Sequence, residues 1–569
     1  MSTRSPYGLT SAAQELRAVF QAAVAPPDPA APIQLEVGIP LRDGVELAAD
    51  VYLPEAARLP APAVVFATPY DKSVPILNAT EAELYQRNGY VAVVYDVRGR
   101  GKSEGEWRAF VNDPLDGHDA VEWVAAQPWC DGAVGVSGLS YSGWATWATA
   151  SQRPPHLRAI VSTSPAGRWM QEIPATNGCF QLYFAYWVTA VRRRMLGLGA
   201  LDLDRLVNTL PVADIERLID PSGRTWADLM EHDTLDEHWR ALRWDGRYDR
   251  FDVPALHVTG WHDHEDLLGA FHHYEQMVEQ SPAADRQWLV VGPWSHAMCR
   301  WPGSEYGGVR YAPEAAVDMH RLHLRFFDRF LRGERNGVDD EPRVRLFDAG
   351  LDRWVAPAAW RGETVERTLR LTGDGALADA PAAAGPAAAR DYAYDPLDPV
   401  TTAFDLDAAV WEPPVDMAAT EARDDVLLFT SAPLERPLTV HGWPRLALRA
   451  TTDGEDTDWH VKLTDVTPDG RSLRVAGGCL RASHGASLEQ PRPVPPGEPV
   501  DYDVELTPIR HTFAAGHRIR LTITSSDFPW FARNLNRFGP IAHQADPRVA
   551  VNTIHCGAGG SLLRLPTSG

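Results

Sequence analysis

The chain has 569 residues, 44% of them apolar and 23% charged, with a formal net charge of −22. That length exceeds what one hydrophobic core holds, so two or three domains are expected. The acidic balance would repel a polyanion such as nucleic acid, and no uninterrupted apolar run is long enough to span a bilayer.

Residues 11–25 read as an amphipathic helix, followed by a Pro/Ala linker from Ala25 to Pro32. Strands are expected at Ile33 to Ile39 and, after the turn Arg42-Asp43-Gly44, at Glu46 to Leu53. Ala63 to Ala67 and Tyr90 to Tyr95 are continuous apolar runs of the kind found in buried parallel strands. Helices are expected at Ala79 to Asn88 and Asp116 to Ala126, and a strand at Ala133 to Val136. A helix rich in Trp and Ala follows, then a strand at Arg158 to Ser162. Strands alternating with helices predict a doubly wound α/β sheet.

From Ala166 to Asp252 the pattern is helical, with helices expected at Thr189 to Leu196, Asp202 to Leu210 and Thr225 to Leu242. An insertion here would cap the sheet. It is rich in aromatics, including Trp169, Phe180, Tyr183, Phe184, Tyr186 and Trp187, most of which are expected in the cap core. The sheet resumes with strands at Val253 to Gly260 and Gln287 to Gly292, and a helix at Ala315 to Arg332 closes it. From about Pro342, beginning with Val344 to Phe347, short alternating runs separated by Gly, Pro and Asp turns predict an all-β sandwich of jelly-roll type. Ala376 to Ala389 reads as an exposed low-complexity loop. The expected division is 1–32, an N-terminal helix and linker; 33–165 and 253–341, the two parts of an α/β domain; 166–252, the cap; and 342–569, the jelly roll.

The run Gly138-Leu139-Ser140-Tyr141-Ser142-Gly143 follows the strand and precedes the helix. It reads as the nucleophile elbow of an α/β-hydrolase, where a strained turn exposes a serine above the sheet edge. Among Ser137, Ser140 and Ser142, only Ser140 has small residues two places away on both sides, Gly138 and Ser142. The glycine that usually follows at two places stands here at three, as Gly143. Hydrolases of this fold supply an acid and then a histidine later in the chain, each just past a strand. Asp263 follows Val253 to Gly260 and His296 follows Gln287 to Gly292, so they are the expected acid and base.

Five cysteines (130, 179, 299, 479 and 556) are few, odd in number and not in metal-ligand spacing. They argue against a disulfide framework and for a reducing compartment. With no basic end and apolar core of a secretory signal at the N-terminus, a cytoplasmic protein is expected. Only three of the 54 basic residues are lysine, a bias suggesting a GC-rich bacterial genome. His262, His264, His272 and His273 cluster in sequence but lack a ligand pattern on their helix, so no metal and no cofactor is expected. The acidic loop Asp453 to Asp458 is expected to be a solvated turn rather than a calcium site.

Several stretches, taken together, resemble the cocaine-esterase and X-Pro dipeptidyl-peptidase family of bacterial serine hydrolases, which also includes the α-amino acid ester hydrolases. They are Arg42-Asp-Gly44, Thr68-Pro-Tyr-Asp-Lys72, Asp96-Val-Arg-Gly-Arg-Gly-Lys-Ser-Glu-Gly105, Gly138 to Gly143, Gly260-Trp-His-Asp263, Gly292-Pro-Trp-Ser-His296, Asp456-Thr-Asp458, Gly516 to Leu521 and Arg533-Asn-Leu-Asn536. The resemblance implies the three-part architecture of α/β-hydrolase domain, helical cap and C-terminal jelly roll. It implies an oxyanion hole made by the Tyr70 hydroxyl and the Tyr141 backbone N–H. It also implies a carboxylate site for a substrate α-ammonium group, with Glu265 and Asp266 matching in spacing. Glu172 would be the cap's contribution, beside Trp169, although the local sequence there does not match cleanly. The alternative for Glu265 and Asp266 is that they open the helix Leu267 to Val278, where acidic side chains favour the dipole. The expected activity is hydrolysis of small carboxylic esters. The alternatives are amide or peptide cleavage next to an α-amino group, or a catalytically silent binding protein. The expected partners are a small ester or amide and further copies of the chain.

Overall fold

Residues 33–73, 80–193, 203–306, 308–380, 386–402 and 416–568 are described by the computed structural model. The helix expected at 11–25 lies outside them.

Ten strands form the first sheet, in the spatial order Ile33–Pro40, Glu46–Tyr52, Val91–Asp96, Ala61–Thr68, Cys130–Leu139, Leu157–Thr163, Ala255–His262, Gln287–Ser295, Val344–Asp348 and Arg353–Val355. From Val91–Asp96 to Val344–Asp348 every pairing is parallel, and both ends are antiparallel. The parallel strands are largely apolar because both faces are covered, with Asp131 and Arg158 exposed near strand starts. In Ala61–Thr68, Ala63 and Val65 enter one core and Val64 and Phe66 the other. The first core continues into the cap through Trp226, Met230 and Trp239, so the cap is packed onto the sheet's own hydrophobic layer.

One expectation shifts here. Val344–Asp348, read as the first strand of the β-rich part, pairs in parallel with Gln287–Ser295 and turns back into Arg353–Val355. Its neighbours on the sheet supply a hydrophobic partner that alternation alone does not reveal.

The cap carries Leu182–Arg193 and a series of short helices. The single helix expected over Thr225 to Leu242 is two pieces, Thr225–Met230 and Glu237–Ala241. The second begins at Asp236, whose side chain accepts from the Trp239 amide and caps it. A two-stranded hairpin, Ala175–Thr176 with Cys179–Phe180, projects from the cap toward the C-terminal part.

Thirteen strands then join in a second network around a separate core that includes Phe429, Trp459, Leu463, Phe513 and Leu563. Its pairings are antiparallel except for Ala376–Asp379 with Leu427–Ser431. The fold is therefore an α/β-hydrolase domain with a helical cap, followed by an all-β jelly roll. Ala376–Asp379 lies in the stretch expected to be an exposed loop, and Ala388–Tyr394 begins at its end; each gains strand partners from distant residues. The acidic turn is also less solvated than expected. Asp456 and Asp458 are buried, Asp456 accepting from Ser483 N and Oγ and Asp458 pairing with Arg481, while Asp453 and Glu455 stay exposed.

Candidate active site

The residues singled out in the sequence converge at the C-terminal ends of the parallel strands, where open α/β sheets place their ligands. Tyr70 follows Ala61–Thr68, Ser140 follows Cys130–Leu139, Asp263 follows Ala255–His262 and His296 follows Gln287–Ser295.

Ser140 sits at φ 64° and ψ −129°, a strained conformation for a residue with a side chain. The turn is tight on both sides. A Cβ on Gly138 would meet the Ser142 carbonyl carbon at 2.3 Å, and one on Gly143 would meet the Thr163 oxygen at 2.4 Å. This explains why glycine stands three places after Ser140, since Gly143 packs against the neighbouring strand. Tyr141 opens the helix Tyr141–Ser151, so its N–H is one of the amides left without an intrahelical acceptor. Its phenol donates to Asp113 at 2.8 Å.

The Tyr70 hydroxyl is in hydrogen-bond contact with Ser140 and accepts from Trp187 Nε1 at 3.1 Å. Burial pushes its pKa up to about 12, overcoming those two hydrogen bonds, so it keeps its proton for donation. The loop behind it is tightly held. Asp96 accepts from the backbone amides of Lys72 and Lys102, and Arg100 Nε donates to the Pro69 carbonyl at 3.1 Å. The same guanidinium reaches the carbonyls of Val191 and Arg192 at the end of the cap helix, tying the Tyr70 loop to the cap.

Asp263 is fully buried. Its Oδ1 lies 3.1 Å from His296 Nδ1 and accepts from the amides of Glu265 and Asp266, each at 3.1 Å. That wrap turns the Glu265 and Asp266 side chains inward rather than leaving them at an exposed helix start. Glu265 Oε2 lies 3.5 Å from His296 Nε2 and accepts from the Tyr183 hydroxyl. Burial pushes the His296 imidazole down, but Glu265, Asp263 and Asp266 outweigh it and raise its pKa to about 10. Burial raises Glu265 to about 7 and lifts Asp266 well above the carboxylate range, with neighbouring carboxylates adding to both. Burial works against ionised Asp263 as well, but His296 and hydrogen bonds hold its pKa below the usual value.

A small cavity is lined by Phe110, Ser140, Tyr141, Ala166, Ile173, Tyr183, Phe184, Trp187, Glu265 and Asp266. Its walls are apolar and aromatic, with the serine and two carboxylates at its polar end. Phe110, Ala166 and Ile173 were not singled out in the sequence. Phe110 sits at a positive φ of 67°, a backbone feature that no sequence pattern announces.

Two sequence expectations change. Trp169 is 1% exposed and stacks on Trp239 with centroids 5.5 Å apart, so it belongs to the cap core rather than the cavity wall. Glu172 is also buried, and its oxygens accept from the amides of Gly167, Arg168 and Gly269 at 2.9, 3.1 and 2.5 Å. It faces a second cavity behind Glu265, yet stands close enough to Asp266 to raise that residue's pKa. Three of the four clustered histidines have separate partners. His262 bonds the Tyr311 hydroxyl, His273 lies between Tyr248 and the Ala166 carbonyl, and His272 pairs with Asp245.

Residues 43–298 match the X-Pro dipeptidyl-peptidase (S15 family) model, and residues 336–561 match the X-Pro dipeptidyl-peptidase C-terminal non-catalytic domain. The cocaine esterase of Rhodococcus sp. (strain MB1 Bresler) is 31% identical over 92% of this chain and 96% of its own length. Among solved structures, an α-amino acid ester hydrolase superposes with a TM-score of 0.85 at 27% identity, covering 96% of this chain and 98% of the other. An aminopeptidase from a marine sediment archaeon, Thaumarchaeota archaeon, gives 0.85 at 25% identity with the same coverage. With these matches running nearly end to end, this chain belongs to the X-Pro dipeptidyl-peptidase S15 family of serine hydrolases, together with the cocaine esterase.

Proposed function

We propose that the enzyme cleaves carboxylic ester bonds of small acyl substrates through an acyl-enzyme on Ser140. The observation that carries this reading is Ser140 on a strained strand-to-helix turn, facing a cavity beside His296, whose Nδ1 is held by a buried Asp263. His296 Nε2 takes the Ser140 proton as Oγ attacks the carbonyl carbon. The carbonyl oxygen becomes an oxyanion, bound by the Tyr70 hydroxyl and the Tyr141 N–H. The tetrahedral intermediate collapses, the C–O bond to the alcohol breaks, and His296 returns the proton to the departing alkoxide. Water repeats the sequence on the acyl-enzyme and releases the acid. Asp263 holds the imidazole tautomer and stabilises its cation.

A second reading is favoured by the acid cluster. Glu265 and Asp266 line the acyl cavity with Ser140, and Glu172 stands behind Asp266. Buried carboxylates repel each other and resist ionisation unless a cation neutralises them. An α-ammonium group on the acyl part is such a cation, so the acyl group is read as α-amino, in an ester or in an amide. The α-amino acid ester hydrolase and the aminopeptidase similar to this chain are named for substrates of that kind.

The proposed division keeps the cap at 166–252 and extends the hydrolase domain through the strand ending at Val355. A cytoplasmic location is supported by five buried cysteines, none in a disulfide. Among the described residues, no helix is long and apolar enough to cross a membrane.

The test compares phenylglycine methyl ester with phenylacetic acid methyl ester, which differ by one α-amino group, in the native enzyme and in Ser140→Ala. Turnover by the native enzyme that is lost in the variant supports the ester reading. A strong preference for the amine supports the ammonium site. Equal rates would leave a general esterase, and no turnover of either would overturn the ester reading.

A further inference from the structure

The cap hairpin and the jelly roll meet at a group of side chains that the hydrolytic chemistry does not use. Strand Asp458–Val466 pairs with Ser472–Arg481 so that Asp458 lies opposite Arg481 and His460 opposite Cys479. Side chains two apart on a strand share a face, and directly opposed residues share it too. Asp458, His460 and Cys479 therefore project to one side of the ladder. The cap hairpin docks on that side. Asn177 Nδ2 donates to the Cys479 carbonyl at 3.1 Å, the Arg481 amide donates to the Asn177 carbonyl at 3.0 Å, and Cys479 Sγ lies 3.5 Å from the Thr176 oxygen. This docking delivers Cys179. Its Sγ, a carboxylate oxygen of Asp458 and a ring nitrogen of His460 all lie within 4.8 Å of one another, and its thiol is in hydrogen-bond contact with that of Cys479.

The group is buried, with Cys179 and Asp458 at 0% exposure, Cys479 at 2% and His460 at 3%, and the last two also line the cavity behind Glu265. The His460 ring offers an open nitrogen, since Nε2 has no hydrogen-bond partner among the described residues. A buried ring nitrogen left in this way is costly unless something binds it.

The geometry points to a binding site for a zinc-class divalent ion that staples the cap to the jelly roll, with Cys179, His460 and Asp458 as ligands and Cys479, which contacts Cys179, turning in to complete the set. Two sulfurs, one nitrogen and one oxygen suit a tetrahedral, borderline-soft ion rather than calcium or magnesium, which take oxygen ligands. Asp458 is already oriented for this. Arg481 grips it through Nε at 2.8 Å and Nη2 at 3.0 Å, and Asn534 donates to Oδ1 at 2.9 Å, as outer-shell partners do for metal-bound carboxylates. The charges balance. Counted with both thiols protonated and the imidazole neutral, the group and its Asp458–Arg481 pair carry no net charge. On binding, each thiol gives its proton to solvent, and the two thiolates cancel the dication while Asp458 and Arg481 still cancel each other. No redox step is involved. The site escapes sequence scanning because its ligands come from positions 179, 458, 460 and 479, joined by strand register and cap docking rather than by spacing.

The test uses the full chain, reduced with a phosphine and stripped of metal, titrated with cobalt(II). The expected result is one equivalent bound, with the visible bands of a tetrahedral ion, a near-ultraviolet thiolate-to-cobalt charge-transfer band, and displacement by zinc. That charge-transfer band should vanish in the Cys179→Ser/Cys479→Ser double variant, and His460→Gln should bind at least tenfold more weakly. If the variants fail to fold, the native chain still decides. In urea at a concentration that lets the alkylating agent reach the buried thiols, bound zinc should protect Cys179 and Cys479 while leaving the other three cysteines unaffected. The proposal is overturned if the reduced chain gives no charge-transfer band, if zinc protects neither thiol, or if the band persists in the double variant. Recovery of a Cys179–Cys479 disulfide peptide from the untreated chain, with no cobalt bound after reduction, would also overturn it.

Discussion

His296 stands between two carboxylates, with Nδ1 3.1 Å from Asp263 Oδ1 and Nε2 3.5 Å from Glu265 Oε2. The second contact engages the nitrogen that receives the Ser140 proton in the proposed mechanism. Glu265 is thus positioned to hold the imidazole as its cation in the absence of substrate, and an ammonium group in the cavity would draw that carboxylate away.

This arrangement fixes a direction for the pH dependence. His296 acts as a base only when neutral, and its raised pKa, about 10, pushes the acid limb of kcat/KM toward higher pH. Glu265 is the largest of the carboxylate contributions to that rise. Glu265→Gln should therefore move the limb to lower pH with an ester that lacks an amine, measured as a pH profile of kcat/KM. A limb that stays in place would separate Glu265 from the base.

Tyr70 should matter to the transition state rather than to binding. Its hydroxyl contacts Ser140 and retains its proton, so Tyr70→Phe removes one oxyanion donor while leaving the ring. The expected loss is about 100- to 1000-fold in kcat with little change in KM. Steady-state kinetics on one ester decide it, and a change confined to KM would assign Tyr70 to substrate binding.

Much of this site was legible in the sequence because its geometry is local. Gly138 to Gly143 encodes a turn that only small flanking residues permit, and Asp263 and His296 each follow a buried apolar strand. What escaped depends on long-range packing. Trp169 and Trp187 look alike in sequence, yet Trp169 stacks on Trp239 in the core while Trp187 reaches the Tyr70 hydroxyl. Val344–Asp348 has the alternation of a sandwich strand but finds its partner in the parallel sheet. The sequence offers Glu172 as a carboxylate for an amine but does not show that its oxygens also accept from three backbone amides.

The support beneath Tyr70 should show in stability. Lys72 Nζ lies 2.8 Å from Asp50 Oδ1, and both residues are buried, at 3% and 4% exposure. Lys72→Met leaves that carboxylate buried without its cation, at a cost of about 3–5 kcal/mol. Thermal unfolding of Lys72→Met should fall well below the native curve, and Asp50→Asn added to it should recover part of the loss. An unchanged Tm would show that the ion pair contributes nothing net.

Trp169 and Tyr183 should separate stability from specificity. Trp169→Ala opens a hole in the cap core and should cost about 3–5 kcal/mol, read as a lower Tm. Tyr183→Phe removes the hydroxyl that bonds Glu265 but keeps the ring stacked on Trp530 at 4.7 Å, so the fold should hold. Its effect should appear instead in the ratio of rates for the amine-bearing and amine-free esters. An unchanged ratio would remove the Tyr183–Glu265 contact from substrate selection.

The most direct test of the central claim is covalent trapping. The native enzyme is treated with a fluorophosphonate, digested, and the modified peptide located by mass spectrometry, with Ser140→Ala alongside. The account predicts one adduct on Ser140, complete loss of ester hydrolysis on labelling, and no adduct in the variant. An adduct on Ser137 or Ser142, or hydrolysis that survives in Ser140→Ala, would contradict it.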